Sequence, residues 1–162
     1  GSLSHLTMEA IAQKSGAKLV HIPYPSSPAA MTALIRGDVQ MAALPAISVT
    51  PHVATGKAKM LAVTLPKRSP FLPDIPTLKE SGIDVEADTW NGMIAPGGTP
   101  QALIEAINKD VVEAIMSKAV REKLASQYME PVGNSPAAFR KVIESEIARW
   151  APIVRAADVK VN

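Results

Sequence analysis

The 162-residue chain has no cysteine. Disulfides, thiolate nucleophiles and sulfur-ligated metal sites are therefore excluded. Aromatic residues are scarce, with two each of Trp, Tyr and Phe, too few to build a stacking platform for nucleotide bases. No run of about 18 apolar residues occurs, so no membrane-spanning helix is expected. No stretch has the layout of a signal peptide. The chain opens on Gly1-Ser2 rather than Met, which leads to the expectation of a processed or excised piece. Basic charge is also thin. Lys plus Arg number 17 against 15 Asp plus Glu, and the densest basic pair is Lys67-Arg68. A nucleic-acid binder would cluster such residues on one face, so no nucleic-acid partner is expected. The three histidines lack the spacing of a metal site. No G-x-S-x-G elbow surrounds a serine. The Gly-Gly-Thr-Pro at Gly97 to Pro100 lacks the Lys-Ser/Thr pair of a phosphate loop. No metal and no cofactor is expected.

What the chain does have is hydrophobic bulk and proline. Hydrophobic residues make up 47% and charged residues 20%, an ordinary globular balance at a length that can bury a core. The 14 prolines mostly stand at boundaries between apolar runs, where proline suits loops and first helical turns.

Read in order, the boundaries delimit alternating elements. Ser4 is placed to cap a helix from about His5 to Lys14, ended by Gly16. Lys18 to Tyr24 reads as a short buried strand. Ser27-Pro28 is a cap-plus-proline helix start, with Met31, Leu34 and Ile35 facing inward and Gly37 ending the helix. Val39 to Pro45 reads as a second strand. A short helix over 46–55 follows, and Lys59 to Thr64 is a third strand. This alternation predicts an α/β fold with a parallel sheet made of right-handed βαβ units. A loop follows, with a short helix at Thr77 to Ser81, then a long extended segment from Val85 to Pro96. Thr99-Pro100 starts a helix to about Gln127 with a break near Ser117 to Ala119. Residues 129–133 read as a further short strand. Ser135-Pro136 starts the last helix, with Phe139, Ile143, Ile147 and Trp150 on one face. Two parts are expected: residues 1–95 as an α/β ligand-binding lobe, and residues 96–162 as a crossover and helical C-terminal segment.

In open parallel sheets, ligands bind beyond the carboxyl ends of strands, where helices begin. Helix starts present unpaired N–H groups and partial positive charge, which suits carboxylates and phosphates. The loop from Pro25 through Ser26, Ser27, Pro28, Ala29 and Ala30 is one such start, and Leu44-Pro45-Ala46 is another. The opening residues Ser2, Ser4 and His5 form a third. Small side chains would let an anion approach the backbone. Equally, Ser27 could do no more than cap its helix, worth roughly 1 kcal/mol. His5 could donate to a ligand or merely complete its first turn. His21 reads as a packed or sheet-facing residue. Asp74, Glu80, Asp84, Glu86 and Asp88 read as a solvated rim, and Trp90 and Trp150 as core.

Four phrases together resemble one family. His21 to Met41 (HIPYPSSPAAMTALIRGDVQM) is similar to the H-V-P-Y-K-G stretch of Bug-type (TctC-like) periplasmic solute-binding proteins of tripartite tricarboxylate transporters. Thr55 to Ile83 is similar to their G-K, L-A-V-T and L-P-D-V-P-T block. Trp90 to Pro100 matches their W, G, A-P and G-T-P pattern, and Glu130 to Trp150 matches their C-terminal helix. The resemblance implies a type II periplasmic-binding-protein-like fold, in which two α/β lobes close over a ligand. The matched part is the second lobe plus the C-terminal segment, and the N-terminal lobe is expected to lie outside this chain. It further implies a non-catalytic, periplasmic receptor that delivers a small carboxylate to membrane transporter subunits. The ligand would be held by Ser2, Ser4, His5, Ser26, Ser27, Ala29, Ala30 and Leu44. Where the family has Lys-Gly, this chain has Pro25-Ser26, and Leu3 replaces the second glycine of the family's G-x-G-x-x-H start. Two other readings remain open: an effector-binding domain of a regulator, and a hydrolase using Ser26 or Ser27 with His5.

Overall fold

A computed structural model describes residues 1–157. The chain divides into two compact units. One comprises residues 1–89 together with Pro152 and the described residues after it, and the other runs from Trp90 to Ala151. The helices are α1 (Leu3–Ser15), α2 (Ser27–Arg36), α3 (Ala46–Ala54), α4 (Gln101–Met116), α5 (Lys118–Ala125) and α6 (Pro136–Ala156).

In the first unit, glycine and serine set the helix ends. Gly16 and Gly37 take left-handed conformations after α1 and α2, with φ of 73° and 81°. The Gly37 and Asp38 N–H groups return to the Leu34 and Ala33 carbonyls, which closes the last turn. The starts differ from expectation. Ser2, rather than Ser4, caps α1, because its extended backbone lets the side chain reach the His5 N–H three residues on. Ser26, rather than Ser27, caps α2, reaching the Ala29 N–H in the same way. Ser27 and Pro28 occupy the first turn, where the missing proline N–H costs no hydrogen bond.

The buried side of α2 is Ala30, Met31 and Ala33, with Leu34 half-buried and Ile35 exposed. Ile35 therefore departs from the inward face expected for it. Small alanines allow α2 to sit close to its neighbours, and α2 packs on α3. Thr7, Ala10, Ser69, Thr77, Val85 and Ala87 complete the buried set of this unit.

The segments at 18–24, 39–45 and 59–64 are not helical, but among the described residues they form no strand ladder. The one bridge is parallel and joins Val63 to Thr77. Val63 N–H donates to Pro76 O at 2.8 Å, and Leu78 N–H donates to Val63 O at 2.9 Å. Thr64 and Ala87 extend this seam: Ala87 N–H donates to Thr64 O, and Thr64 Oγ1 donates to Ala87 O at 2.6 Å. β-Branched composition disfavours helix locally. A ladder also needs a neighbour in register about 4.8 Å away, and among the described residues the pairing that forms is the Val63–Thr77 bridge. Val20, Ile22, Met41 and Leu61 are correspondingly exposed.

In the second unit, Pro100 stands before α4 with non-helical backbone and caps nothing with its side chain. Thr99 does not cap either, because its hydroxyl donates to Pro96 O at 2.8 Å and so serves the preceding turn. The break between α4 and α5 falls at Ser117, which is extended. Residues 129–133 form no strand. Ser135 caps α6 through the Ala138 N–H at 3.2 Å. Asn108 Nδ2 donates to Asn134 O, which ties α4 to the entry of α6. Gly133, at φ 62°, lies so close to Met116 and Val112 that an added Cβ would crowd both. Trp90 meets Phe139 edge-to-face, with centroids 5.1 Å apart. Trp90 is 42% exposed, and Trp150 is half-buried with its indole N–H on Glu146, so neither is deep core. Ile147 is also exposed, unlike Phe139, Ile143 and Trp150 on the expected face.

Candidate functional site

The first two helices begin with the same device. The Ser2 hydroxyl accepts the His5 N–H at 3.4 Å, and the Ser26 hydroxyl accepts the Ala29 N–H at 3.4 Å. These are long contacts, so each first turn keeps donor capacity and the positive end of its helix dipole. α3 starts on Pro45 with no side-chain cap, and its Ser48 N–H turns back to Pro45 O.

The expected site residues divide by environment. Ser2 and Ser26 are exposed, whereas Ser4, His5, Ser27, Ala29 and Leu44 are half-buried. Among the described residues, the Ser4 and Ser27 hydroxyls make no hydrogen bond. Ala30 is buried, and its N–H is bonded to Ser26 O at 3.0 Å. Leu44 immediately precedes the start of α3. No hydrogen bond or ring contact among the described residues joins it to the other candidates.

A ring pair that sequence spacing did not reveal joins the first turn of α1 to the segment that leads into α2. The imidazoles of His5 and His21 stack face to face, with centroids 3.6 Å apart and planes 5° from parallel. His5 Nε2 lies 3.5 Å from Glu9 Oε1, one turn along α1, and His5 Nδ1 is 3.3 Å from the Gly1 amino nitrogen. Partial burial lowers the pKa of His21, the neighbouring His5 and the Gly1 amino group lower it further, and Glu9 opposes them. No local motif announces this pair, since 15 residues, including the rest of α1, lie between the two histidines.

Glu80 is exposed, as expected of a rim residue, but it also closes a turn. Its carboxylate accepts the Thr77 N–H at 2.7 Å, while the Thr77 hydroxyl accepts the Glu80 N–H at 3.0 Å. This is a capping box closing a single turn, and the Thr-x-x-Glu spacing could have revealed it. Arg68 Nε lies 3.0 Å from both Glu80 oxygens, and its NH1 group donates to Pro73 O. The Thr77 backbone, then Arg68, holds the Glu80 carboxyl below its ordinary pKa. The expected helix at Thr77 to Ser81 is thus a hydrogen-bonded turn, stitched to the loop before it.

Residues 1–159 match the model of the tripartite tricarboxylate transporter family receptor, TctC. The chain belongs to this family. Protein BugT of Bordetella pertussis is 35% identical over 163 residues, covering 100% of this chain and 50% of its own length. Among solved structures, R. palustris Rpa4515 with adipate superposes at a TM-score of 0.84 and 31% identity, covering 98% of this chain and 53% of that one. MatC from Rhodopseudomonas palustris, with bound malate, gives a TM-score of 0.80 at 25% identity, covering 94% of this chain and 53% of that one. The periplasmic binding protein BugD gives 0.75 at 30%, covering 97% and 54% respectively. The chain therefore spans about half the length of these TctC relatives. Among the described residues, no helix is long and apolar enough to cross a membrane.

Proposed function

We propose that this chain is an extracytoplasmic solute-binding protein, or a lobe of one, which binds a small carboxylate for delivery to a membrane transporter. The observation that carries this reading is the match to the TctC receptor family from residue 1 to residue 159. Its structural relatives include one with adipate and one with malate, both dicarboxylates. The binding residues are Ser2, Ser4 and His5 at the start of α1, Ser26, Ser27, Ala29 and Ala30 at the start of α2, and Leu44 before α3. Backbone N–H groups and hydroxyls do the work, with the helix dipoles supplying positive potential in place of Lys or Arg.

The fold reading that goes with this function is a parallel α/β lobe. The segments at 18–24, 39–45 and 59–64 are its strands, and their exposed apolar residues are the positions a packed sheet would cover. Residues 1–95 form the ligand-binding part and residues 96–162 the crossover and helical segment. The place of action is the periplasm, and the partners are transporter subunits and an N-terminal lobe outside this chain.

Binding without turnover is the activity proposed. The hydrolase reading gains no support from the geometry, because His5 engages Glu9 and His21 while Ser26 caps α2. Calorimetric titration of the complete gene product with mono-, di- and tricarboxylates tests the proposal. Saturable binding of at least one carboxylate is expected. Silence across the panel, or preference for an uncharged solute, would overturn it. Ester turnover abolished by Ser27→Ala would overturn the non-catalytic part.

A further inference from the structure

The His5–His21 pair lies outside what carboxylate recognition by helix starts requires, yet it is the contact joining the start of α1 to the segment that enters α2. His5 belongs to the first turn of α1. His21 stands five residues before Ser26, and the intervening Ile22-Pro23-Tyr24-Pro25 holds two prolines. Each proline fixes its own φ and holds the residue before it in extended conformations. The linker is thus stiff, and it sets His21 five residues ahead of the Ser26 cap.

Face-to-face imidazoles 3.6 Å apart are compatible with no charge or with one. Two positive charges at that separation repel strongly, and among the described residues the one carboxylate adjoining the pair is Glu9.

We propose that the His5–His21 stack is a proton-sensitive latch that seats the entry of α2 against the start of α1 and opens when both rings are charged. Its consequence for ligand rests on the carboxylate-binding reading above: the two helix starts act on one anion only while the latch is shut. His21 is then a positioning residue rather than a ligand contact. The sign follows from its lowered proton affinity. The closed state disfavours the proton on His21, so the latch is complete above the ordinary imidazole range and is lost as pH falls through the lower value of His21.

Two measurements on the full chain test this. The first needs no ligand: histidine ring and backbone amide NMR shifts followed from about pH 8 to about pH 5, the range in which imidazoles titrate. His21 is expected to titrate below the ordinary value, with the Ser26 and Ala29 amides moving at the same point. An ordinary His21 titration, or amides that ignore it, would overturn the latch even if no carboxylate binds. The second is calorimetric affinity for adipate against pH. Affinity should fall about tenfold per pH unit below the His21 titration, the limit for one competing proton. His21→Phe keeps a flat ring in the stack and cannot be charged. It should bind as the wild type near neutral pH and lose that acid limb, while protonation of adipate itself affects both proteins alike. An unchanged acid limb in His21→Phe would overturn the latch and leave carboxylate binding standing. Absence of adipate binding at every pH would count against adipate as ligand, and the NMR titration would then decide the latch.

Discussion

Thr77 and Glu80 hold one another by two reciprocal hydrogen bonds, the Thr77 N–H to the Glu80 carboxylate at 2.7 Å and the Glu80 N–H to the Thr77 hydroxyl at 3.0 Å. Thr77 is also the partner of Val63 in the one parallel bridge among the described residues, and it is 2% exposed. The turn and the seam therefore depend on the same residue. Thr77→Ala should destabilise the chain by about 1 kcal/mol, as for loss of a helix cap, and a urea midpoint shift at constant slope would measure it. Thr77→Ser, which keeps the hydroxyl, should recover most of the loss.

Glu80 adds a pH dependence. Its folded-state pKa is lowered, first by the Thr77 N–H and then by Arg68. The contribution of Glu80 is therefore complete above the ordinary glutamate value and is lost as pH falls through the lowered one. Thermal melts of Glu80→Gln should show a shallower acid limb than the wild type. Identical limbs would mean that the turn holds without the charge. Salt should weaken the Arg68 part, since both side chains are about half exposed.

Met31 is 1% exposed and is the largest fully buried side chain described. Met31→Ala leaves a cavity between α2 and its surroundings, and should cost about 2–5 kcal/mol. Met31→Leu conserves volume and should cost less than about 1.5 kcal/mol. Equilibrium urea unfolding distinguishes them, and near-equal midpoints would show that the site collapses around alanine.

At Gly92, an added Cβ would occupy space held by the Phe139 ring. The ring cannot simply swing away without losing its edge-to-face contact with Trp90. Gly92→Ala should therefore destabilise the second unit by about 1–3 kcal/mol, the usual cost of overpacking. It should also shift Trp fluorescence toward the solvated position. Unaltered emission and stability would mean that Phe139 has another place to go.

Ser26→Ala removes the cap of α2. It should lower stability by about 1 kcal/mol and weaken carboxylate binding together. Ala29→Asp separates the two effects. An acidic residue in the first turn suits the helix dipole, so the fold should survive while the carboxylate is repelled. Unchanged calorimetric affinity in folded Ala29→Asp would remove this loop from the site.

Much of the helical layout was legible along the chain. Gly16 and Gly37 sit where a helix must stop, Ser135-Pro136 where one starts, and Ser117 where α4 gives way to α5, because these are local backbone preferences. The caps of α1 and α2 were misplaced by one or two residues. Several serines compete at each start, and cap geometry decides among them. The candidate site was legible as a set of helix starts, but not in its wiring. The Glu80 capping box had a readable spacing, whereas the His5–His21 stack had none.

What sequence alone determined is the punctuation of this protein, the kind of residue at each helix start and the family resemblance, all properties of neighbours along the chain. Tertiary structure decided the rest. It buried Ala30 and Met31 while leaving Ile35 in solvent, turned Glu80 into a clasp for Thr77 and Arg68, and laid His21 on His5. The physical reason is range. Capping and turn preferences act over three or four residues, whereas packing and ring stacking need groups far apart in sequence to meet, and only the folded chain brings them together.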